Sequence, residues 1–431
     1  MADRLWHDPE IRTFLAGRTA SEIGSRITRE GLPIVAILVA GATARQLGLL
    51  AALSSVAALL TGLWAGVLVD RHRRRPLMIA ADIVRAALLL TIPLAAALHR
   101  LHFTQIAVVT GLVGAASLLF HVADQAWLPQ FVSRSRLEEG NALVQAASAV
   151  GETGGPTLMG LLFQLIGGPL AVGVDALSYL ASALSLGRLR RVEPPAAPPP
   201  AGGRAAVALE AVAGVRKVLS HPVLRPLALA LATQSLFGGV HGALYELYAL
   251  ATLHLSPLAL GVLITSGGVG ALLGSVVAAR VANRLGTARA LIITGIVSGA
   301  LAWCIPLAGG PWPLAFGALF VAQFAGDGIG TIFDIQEAVV RQSVTPDGWL
   351  GRVTASGRWM GGTLSALGAL GAGALGATIG IRPAFCIAAG GLLLAPAWLV
   401  FSALRTLPSN QPAAERKDAG LAAETSPAPT F

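Results

Sequence analysis

Charged side chains are scarce in this chain of 431 residues: Asp, Glu, Lys and Arg make up 12% of it, whereas 54% of the residues are hydrophobic. An ordinary soluble domain is about a quarter charged, so the composition indicates a membrane protein. Lysine occurs only at Lys217 and Lys417. Neither lies in a Gly-Lys-Ser/Thr sequence, which excludes a P-loop ATP site in this chain.

Cysteine and clusters of catalytic type are also scarce. Cys304 and Cys386 form neither a disulfide framework nor a CxxC metal pair, so we expect both to be small packing residues. A membrane enzyme, such as a lipid-modifying transferase, would need clustered aspartates, a metal-binding histidine set or a nucleophile with its base. The acids are scattered instead. We therefore expect no catalytic residue, no metal site and no cofactor.

The chain is rich in long apolar runs. About 20 apolar residues in a helix cross the hydrocarbon core of a bilayer, and runs such as 89–98 lack the alternation of a β-barrel strand. We predict an all-α membrane protein with twelve transmembrane helices. The predicted spans are 13–40, 46–69, 77–98, 104–124, 141–166, 169–188, 224–250, 257–280, 288–308, 312–336, 355–378 and 383–404.

The placement of arginine predicts the orientation of these helices. The loops on one side hold only Arg45, Arg100 and Arg382, and the other arginines of the loops lie on the side of both termini. We therefore predict a multi-pass protein of the cell (inner or plasma) membrane with both termini in the cytoplasm. This bias also accounts for the net charge of +9, so we expect no nucleic-acid partner.

An internal repeat with an offset of 213 residues divides the chain. Asp70 corresponds to Asn283, and Asp124 corresponds to Glu337. We predict two pseudo-symmetric halves of six helices each, joined by a Pro-rich cytoplasmic linker in which residues 205–220 form an amphipathic helix. The predicted divisions are 1–190, 191–222, 223–405 and a disordered tail, 406–431.

The loop after the second predicted helix carries the most specific motif, Gly66-x3-Asp70-Arg71-His72-Arg73-Arg74-Arg75. It resembles the Gly-x3-Asp-Arg-x-Gly-Arg-Arg loop of the major facilitator superfamily, with Arg73 in the place of a glycine. The resemblance implies that Asp70 and Arg74 form a charge cluster with Asp124, which latches the cytoplasmic side shut in the outward-facing state. The predicted latch is Gly66, Asp70, Arg71, Arg74 and Asp124. The alternative is that Asp70 caps a helix and the arginines only anchor the topology.

A second motif lies in the fifth predicted helix. Gly151-x3-Gly155-Pro156-x2-Met159-Gly160 resembles the Gly-x3-Gly-Pro-x2-Gly-Gly signature of the exporter branches, with Met159 in the place of a glycine. Small residues and proline allow helices to approach closely and to bend, which suits a seam that seals and opens. Plain helix packing is the alternative. Residues 175–179 and 344–353 are similar to the drug:proton antiporter group that contains macrolide and siderophore exporters.

A proton-coupled transporter needs a titratable group at membrane depth, and the first helix is the richest source. Arg18, Glu22, Arg26, Arg29 and Glu30 fall on one arc of this helix. Spacing by four residues allows Arg18–Glu22, Glu22–Arg26 and Arg26–Glu30 pairs that neutralise one another. The alternative is that a carboxylate, foremost Glu22, exchanges its arginine partner for a proton or substrate.

Further candidates lie in other helices. Glu152 falls within the helix-5 motif, His241 and Glu246 lie on a polar face of helix 7, and Asp327 lies in helix 10. The predicted proton or substrate residues are Arg18, Glu22, Arg26, Glu30, Glu152, His241, Glu246 and Asp327. A hydrogen-bonded packing role is the alternative for His241, and a local cap or pair is the expectation for Asp175.

The combined features predict a proton-coupled exporter of small amphipathic organic molecules, such as drugs, macrolides or siderophores, which works as a monomer in the lipid bilayer by rocking its two halves. As the resemblance implies, helices 1, 4, 7 and 10 would line the central path. Two alternatives remain: a proton-coupled importer of a small nutrient, and a membrane receptor or scaffold that transports nothing.

Overall fold

The computed structural model describes residue 5 and residues 8–132, 136–189 and 214–402, apart from the side chains at positions 63, 67, 70, 128–131 and 347. These parts of the chain form long helices and no strand. In chain order the helices are α1 (Pro9–Leu38), α2 (Ala44–Arg71), α3 (Arg74–Ala97), α4 (Phe103–Phe131), α5 (Leu137–Ile166), α6 (Gly168–Arg188), α7 (Leu224–Thr252), α8 (Pro257–Leu285), α9 (Thr287–Leu307), α10 (Trp312–Val344), α11 (Leu350–Thr378) and α12 (Ile381–Val400).

Within the described residues, ten of these helices are long and apolar enough to cross a membrane. The two others, α1 and α5, are not among these ten, so a count of twelve membrane crossings stays a prediction. Several helices also extend beyond the apolar windows: α4 continues to Phe131, α10 continues to Val344 and α11 begins at Leu350. All three extensions lie at the end of the bundle that carries the termini. Backbone hydrogen bonding continues there after the apolar pattern has ended.

The internal repeat recurs in the helix boundaries. The helices α2, α3, α5 and α6 begin 213 residues before α8, α9, α11 and α12, respectively, as shown by the pairs Ala44 and Pro257, Arg74 and Thr287, Leu137 and Leu350, and Gly168 and Ile381. The fold therefore consists of two pseudo-symmetric halves of six helices. Residues that are 213 positions apart occupy equivalent places in the two halves.

The linker is described only at its end. Residues 190–213 and 403–431 lie outside the described part, and with them most of the predicted linker and the predicted tail. Residues 214–220 are helical, as the amphipathic pattern predicts. Val218 packs against Leu224 and Val353, so this side chain lies against α7 and α11, and the placement of the predicted amphipathic helix on the membrane surface stays a prediction.

The two halves meet at one end of the bundle. A single hydrophobic core there includes Ile34 and Leu47 of the first half and Tyr248 and Leu260 of the second. At the end that carries the termini, the cores described are separate: one contains Phe14, Met78 and Trp127 of the first half, and another contains Leu227, Phe333 and Leu399 of the second. The bundle is thus sealed at the end away from the termini and divided at the end that carries them.

Two equivalent seams seal this end. In one, α2 packs on α11, where a Cβ added at Gly48 would lie 2.5 Å from the carbonyl oxygen of Ala369. In the other, α5 packs on α8, where a Cβ at Gly160 would lie 2.5 Å from the carbonyl oxygen of Pro257. Both distances are below any normal contact, so each seam depends on a residue without a side chain.

Candidate functional site

The structure describes two ion pairs from α1 to other helices and one within α1. Arg18 forms an ion pair with Asp124 of α4, and both residues are buried, with 7% and 3% of their surface exposed. Arg26 donates from Nη2 to Glu152 Oε1 of α5 at 2.5 Å. Arg29 Nε lies 3.8 Å from Glu30 Oε1. The helical spacing predicted Glu22 and Glu30 as the partners of Arg18 and Arg26, and in the structure the partners are Asp124 and Glu152.

The helix-5 motif lies where α5 contacts both α1 and α8. A Cβ at Gly151 would lie 2.7 Å from Glu22 Cγ, and one at Gly155 would lie 2.5 Å from Arg26 Cβ. Two residues further, Thr157 lies against α8, where its hydroxyl is 2.7 Å from that of Thr265. The same short segment therefore contacts both the charged face of α1 and the other half of the molecule.

The loop between α2 and α3 takes its form without the family's glycine. Arg73 is the N-cap of α3 with φ −63° and ψ 130°, which any residue adopts. Arg75 donates from Nε to the carbonyl oxygen of Leu186 and from Nη2 to that of Gly187, both at 2.7 Å. It therefore ties α3 to the end of α6, a role that the sequence reasoning missed.

The predicted latch is only partly visible. The side chain of Asp70 lies outside the described part, while Gly66 and Arg71 belong to α2 and Arg74 begins α3. Asp124 lies at the α1–α4 contact and is paired with Arg18. The cluster of Asp70, Arg74 and Asp124 therefore stays a prediction.

The second half holds the remaining candidates. His241 stacks on Tyr245 with ring centroids 4.4 Å apart, Glu246 is buried with 9% of its surface exposed, and Asp327 is exposed on α10. Glu337 accepts a hydrogen bond from Arg341 Nε at 3.0 Å, the pairing that their spacing indicates. A cavity of about 340 Å³ opens beside this pair between α7, α10 and α11, and Leu227, Leu231, Glu337, Arg341 and Arg358 are among its lining residues.

The sequence reasoning also missed a buried polar cluster between α1, α3, α4 and α6. Asp82 and Arg85 form an ion pair one turn apart on α3. The Arg85 guanidinium lies between the rings of Phe120 and Tyr179, 4.5 and 4.0 Å from their centroids. The available signal was an aspartate and an arginine three residues apart within an otherwise apolar run, which is rare in a membrane helix without a role.

Comparisons with known proteins agree with this architecture. The model of the family described as Major Facilitator Superfamily matches residues 23–356 and 227–429. The multidrug efflux pump Tap of Mycolicibacterium fortuitum is 27% identical over 386 residues, which cover 88% of this chain and 91% of that protein. A bacterial homologue of the iron transporter ferroportin, solved in an inward-facing state, superimposes with a TM-score of 0.72 at 16% identity, over 91% of this chain and 98% of that one. The nucleoside transporter NupG superimposes with a TM-score of 0.74 at 13% identity, over 93% and 100%.

Proposed function

The chain belongs to the major facilitator superfamily of membrane transporters, and we propose that it is a proton-coupled exporter of small amphipathic organic molecules, which acts as a monomer by alternating access. The observation that carries the export direction is the similarity to a multidrug efflux pump along most of both chains. This similarity also disfavours import of a nutrient. Proton coupling is part of the proposal because the chain offers no P-loop ATP site.

The division of the bundle supports alternating access. If the termini lie in the cytoplasm, as the arginine distribution predicts, the sealed end is extracellular and the divided end opens to the cytoplasm. An exporter in this state takes up its substrate from inside the cell. Closure of the divided end and opening of the Gly48 and Gly160 seams then releases the substrate outside.

The Arg18–Asp124 pair supports a latch that works by exchange of partners. While the cytoplasmic end is open, Arg18 of α1 neutralises the buried Asp124. When this end closes, Asp124 moves to the cluster of Asp70 and Arg74, and Arg18 is released. A buried carboxylate keeps a cationic partner in both states, which avoids the large free-energy cost of an isolated buried charge.

We propose that substrate and protons compete for two carboxylates: that of Glu152, in the exposed Arg26–Glu152 pair, and that of the neighbouring Glu22. The side chain of Glu152 is 57% exposed, so neighbouring helices do not enclose it. Glu30, His241, Glu246 and Asp327 are further residues proposed to bind substrate or protons. A cationic amphipathic substrate would take the place of Arg26 beside Glu152, and a proton on Glu22 or Glu152 would favour its release.

Everted membrane vesicles test this function with ethidium as the fluorescent probe. An outward proton-coupled exporter accumulates ethidium inside energised everted vesicles, and a protonophore abolishes the accumulation. We expect Asp70→Asn and Glu22→Gln to lose it, whereas Glu138→Gln, an exposed acid at the start of α5, should retain it as the matched control. Accumulation only in right-side-out vesicles would show that transport is inward and would contradict export. Accumulation that survives the protonophore would contradict proton coupling.

A further inference from the structure

The buried polar cluster of the first half combines two carboxylates with one cation. Asp175 of α6 is fully buried, and its carboxylate accepts hydrogen bonds from Thr28 of α1 and from Ser178, the latter at 2.7 Å. Asp82 is also fully buried and is paired with Arg85, which is 2% exposed. The only charged groups of α1, α3, α4 and α6 that interact with Asp175 are Asp82 and Arg85.

The charges of this cluster do not balance when both carboxylates are ionised. Arg85 neutralises Asp82, which leaves Asp175 with hydroxyl donors alone and the cluster with one net negative charge. At a rise of 1.5 Å per residue, Asp82 lies about 12 Å and Asp175 about 10 Å from the nearer end of its helix, well inside the bilayer. An uncompensated charge at that depth is strongly unfavourable, and one bound proton makes the cluster neutral.

The second half shows that the fold does not need these charges. The residues 213 positions beyond Asp82, Arg85 and Asp175 are Gly295, Ser298 and Ala388. Gly295 and Ala388 are buried in the equivalent helices α9 and α12. Because one half packs the same seam with small uncharged residues, a purely structural requirement does not account for the cluster in the other half.

The cluster is in direct contact with the helix that carries the exposed charges. Gly24 of α1 lies so close to Asp175 that an added Cβ would overlap its carboxylate, and Thr28, one turn later, donates to it. Ser25, between these two, is half-buried and lies 3.1 Å from the Tyr179 hydroxyl. A change in the charge of Asp175 therefore acts on the segment of α1 next to Arg26.

We propose that Asp175, together with the Asp82–Arg85 pair, forms a buried proton-binding site of this transporter, separate from the Arg26–Glu152 face. The inference deepens the proposed proton-coupled export and rests on it. In the state described here, Asp175 is a neutral carboxylic acid held by Thr28 and Ser178. Release of its proton leaves a carboxylate and one net charge in the cluster, which α1 accommodates only by shifting away from α6. This buried site holds the proton that is coupled to the shift of α1, while the organic substrate binds at the Arg26–Glu152 face, where a proton on Glu22 or Glu152 favours its release.

Infrared spectroscopy of the purified protein in lipid nanodiscs tests the site without any substrate. At neutral pH the wild type should show the C=O stretch of a protonated carboxylic acid that is shielded from exchange in D₂O, and Asp175→Asn should lose this band. Glu138→Gln is the control and should keep it. A spectrum of Asp175→Asn identical to that of the wild type would overturn the proposal. If that variant does not fold, Thr28→Val serves instead: loss of one hydrogen bond should move the band to higher frequency, and an unmoved band would count equally against it.

Transport in proteoliposomes tests whether the same proton is coupled to export. Asparagine imitates the protonated carboxyl, so Asp175→Asn should retain ethidium counterflow, which needs no net proton movement, but should lose ethidium accumulation driven by a pH gradient. Accumulation at the wild-type rate in Asp175→Asn would overturn the inference and leave the proposed function intact. If the wild type itself shows counterflow but no response to the gradient, the proposed proton coupling fails, and the infrared result still decides where a buried proton resides.

Discussion

The two halves of this transporter share one architecture and differ in where they place charge. In the first half, α1 contributes Arg18 to a buried ion pair with Asp124 of α4. The equivalent residues of the second half are Leu231 and Glu337, and Glu337 pairs along its own helix with Arg341, beside a cavity. The equivalent contact of α7 and α10 has Leu231 opposite Glu337 and folds without the counterpart of the Arg18–Asp124 pair, so an ion pair at this place is not a general requirement for holding the two helices together. The charges of the first half are better explained by a half that changes its internal contacts during transport.

The largest expected effect comes from replacing Arg18 by leucine, the residue at the equivalent position 231 of the second half. Arg18→Leu leaves Asp124 buried without its cation, and we expect a loss of about 3–5 kcal/mol in the free energy of unfolding. The double variant Arg18→Leu, Asp124→Leu removes both charges and should recover most of that loss. Thermal unfolding in detergent gives both values.

The double variant also separates stability from transport. It lacks the acid of the proposed latch, so it should stay inactive in ethidium efflux although it is folded. Recovery of both stability and efflux would show that the pair is only structural. A double variant as unstable as Arg18→Leu alone would show that the first half needs this charge to fold, which would end the contrast between the halves.

The second prediction concerns the feature that the halves share, the pair of glycine seams. Gly373 is the equivalent of Gly160, and a Cβ at Gly373 would lie 2.9 Å from the carbonyl oxygen of Ala44. Gly160 belongs to the helix-5 motif and Gly373 does not, yet both seams close the same end of the bundle. We therefore expect Gly160→Val and Gly373→Val to destabilise the sealed state to a similar extent, by about 1–3 kcal/mol.

Distances between spin labels measure this effect. Labels at the exposed positions Val39 and His254, on either side of the sealed end, should move apart in both variants. Gly111→Val is the control, because nothing lies within 4 Å of a Cβ there. If only Gly160→Val opens the sealed end, the helix-5 motif acts through more than its packing, and the two seams are not equivalent.

The sequence predicts this fold well because long apolar windows and a constant offset are properties of the chain alone. Hydropathy does not predict the helix extensions, such as that of α4 to Phe131. It indicates where the chain leaves the hydrocarbon core and not where the hydrogen bonds of the helix end. The charged residues of α1 were also recognisable. Asp124 and Glu152 were also recognised as candidates, but not as the partners of Arg18 and Arg26, because spacing along one helix does not fix how neighbouring helices are rotated toward it.

The buried cluster shows a different limit of sequence reasoning. Asp82 and Arg85 are three residues apart in an apolar span, and this signal was present in the chain. Only the fold brings Asp175, ninety residues later, to the same place. A single acid in a helix suggests a cap or a local pair, and the net charge of the cluster becomes evident when its three members are seen together.

A smaller effect should follow from Arg75, which is replaced by Ala288 in the second half. Arg75→Ala removes two charged hydrogen bonds to the end of α6. Because Arg75 is partly exposed, we expect a loss of only about 1–2 kcal/mol in the free energy of unfolding. Arg73→Ala in the same loop, at an exposed N-cap whose side chain makes no capping hydrogen bond, is the control. Equal thermal stability of the two variants would mean that the α3–α6 tie contributes nothing.

The smallest expected effect comes from making the second half more like the first at the cavity. Ala228 lines it, and its equivalent is Leu15, which is buried in the core of the first half. Ala228→Leu places apolar side-chain volume into the cavity and should stabilise the protein by up to about 1 kcal/mol, as cavity-filling substitutions do. Ala230→Leu is the control on the same helix: Ala230 is fully buried in packed surroundings, so the same added volume should lower the thermal midpoint. If Ala228→Leu lowers it as well, the space beside Glu337 does not accept the larger side chain. The two halves would then differ at this place in their packing as well as in where charge lies.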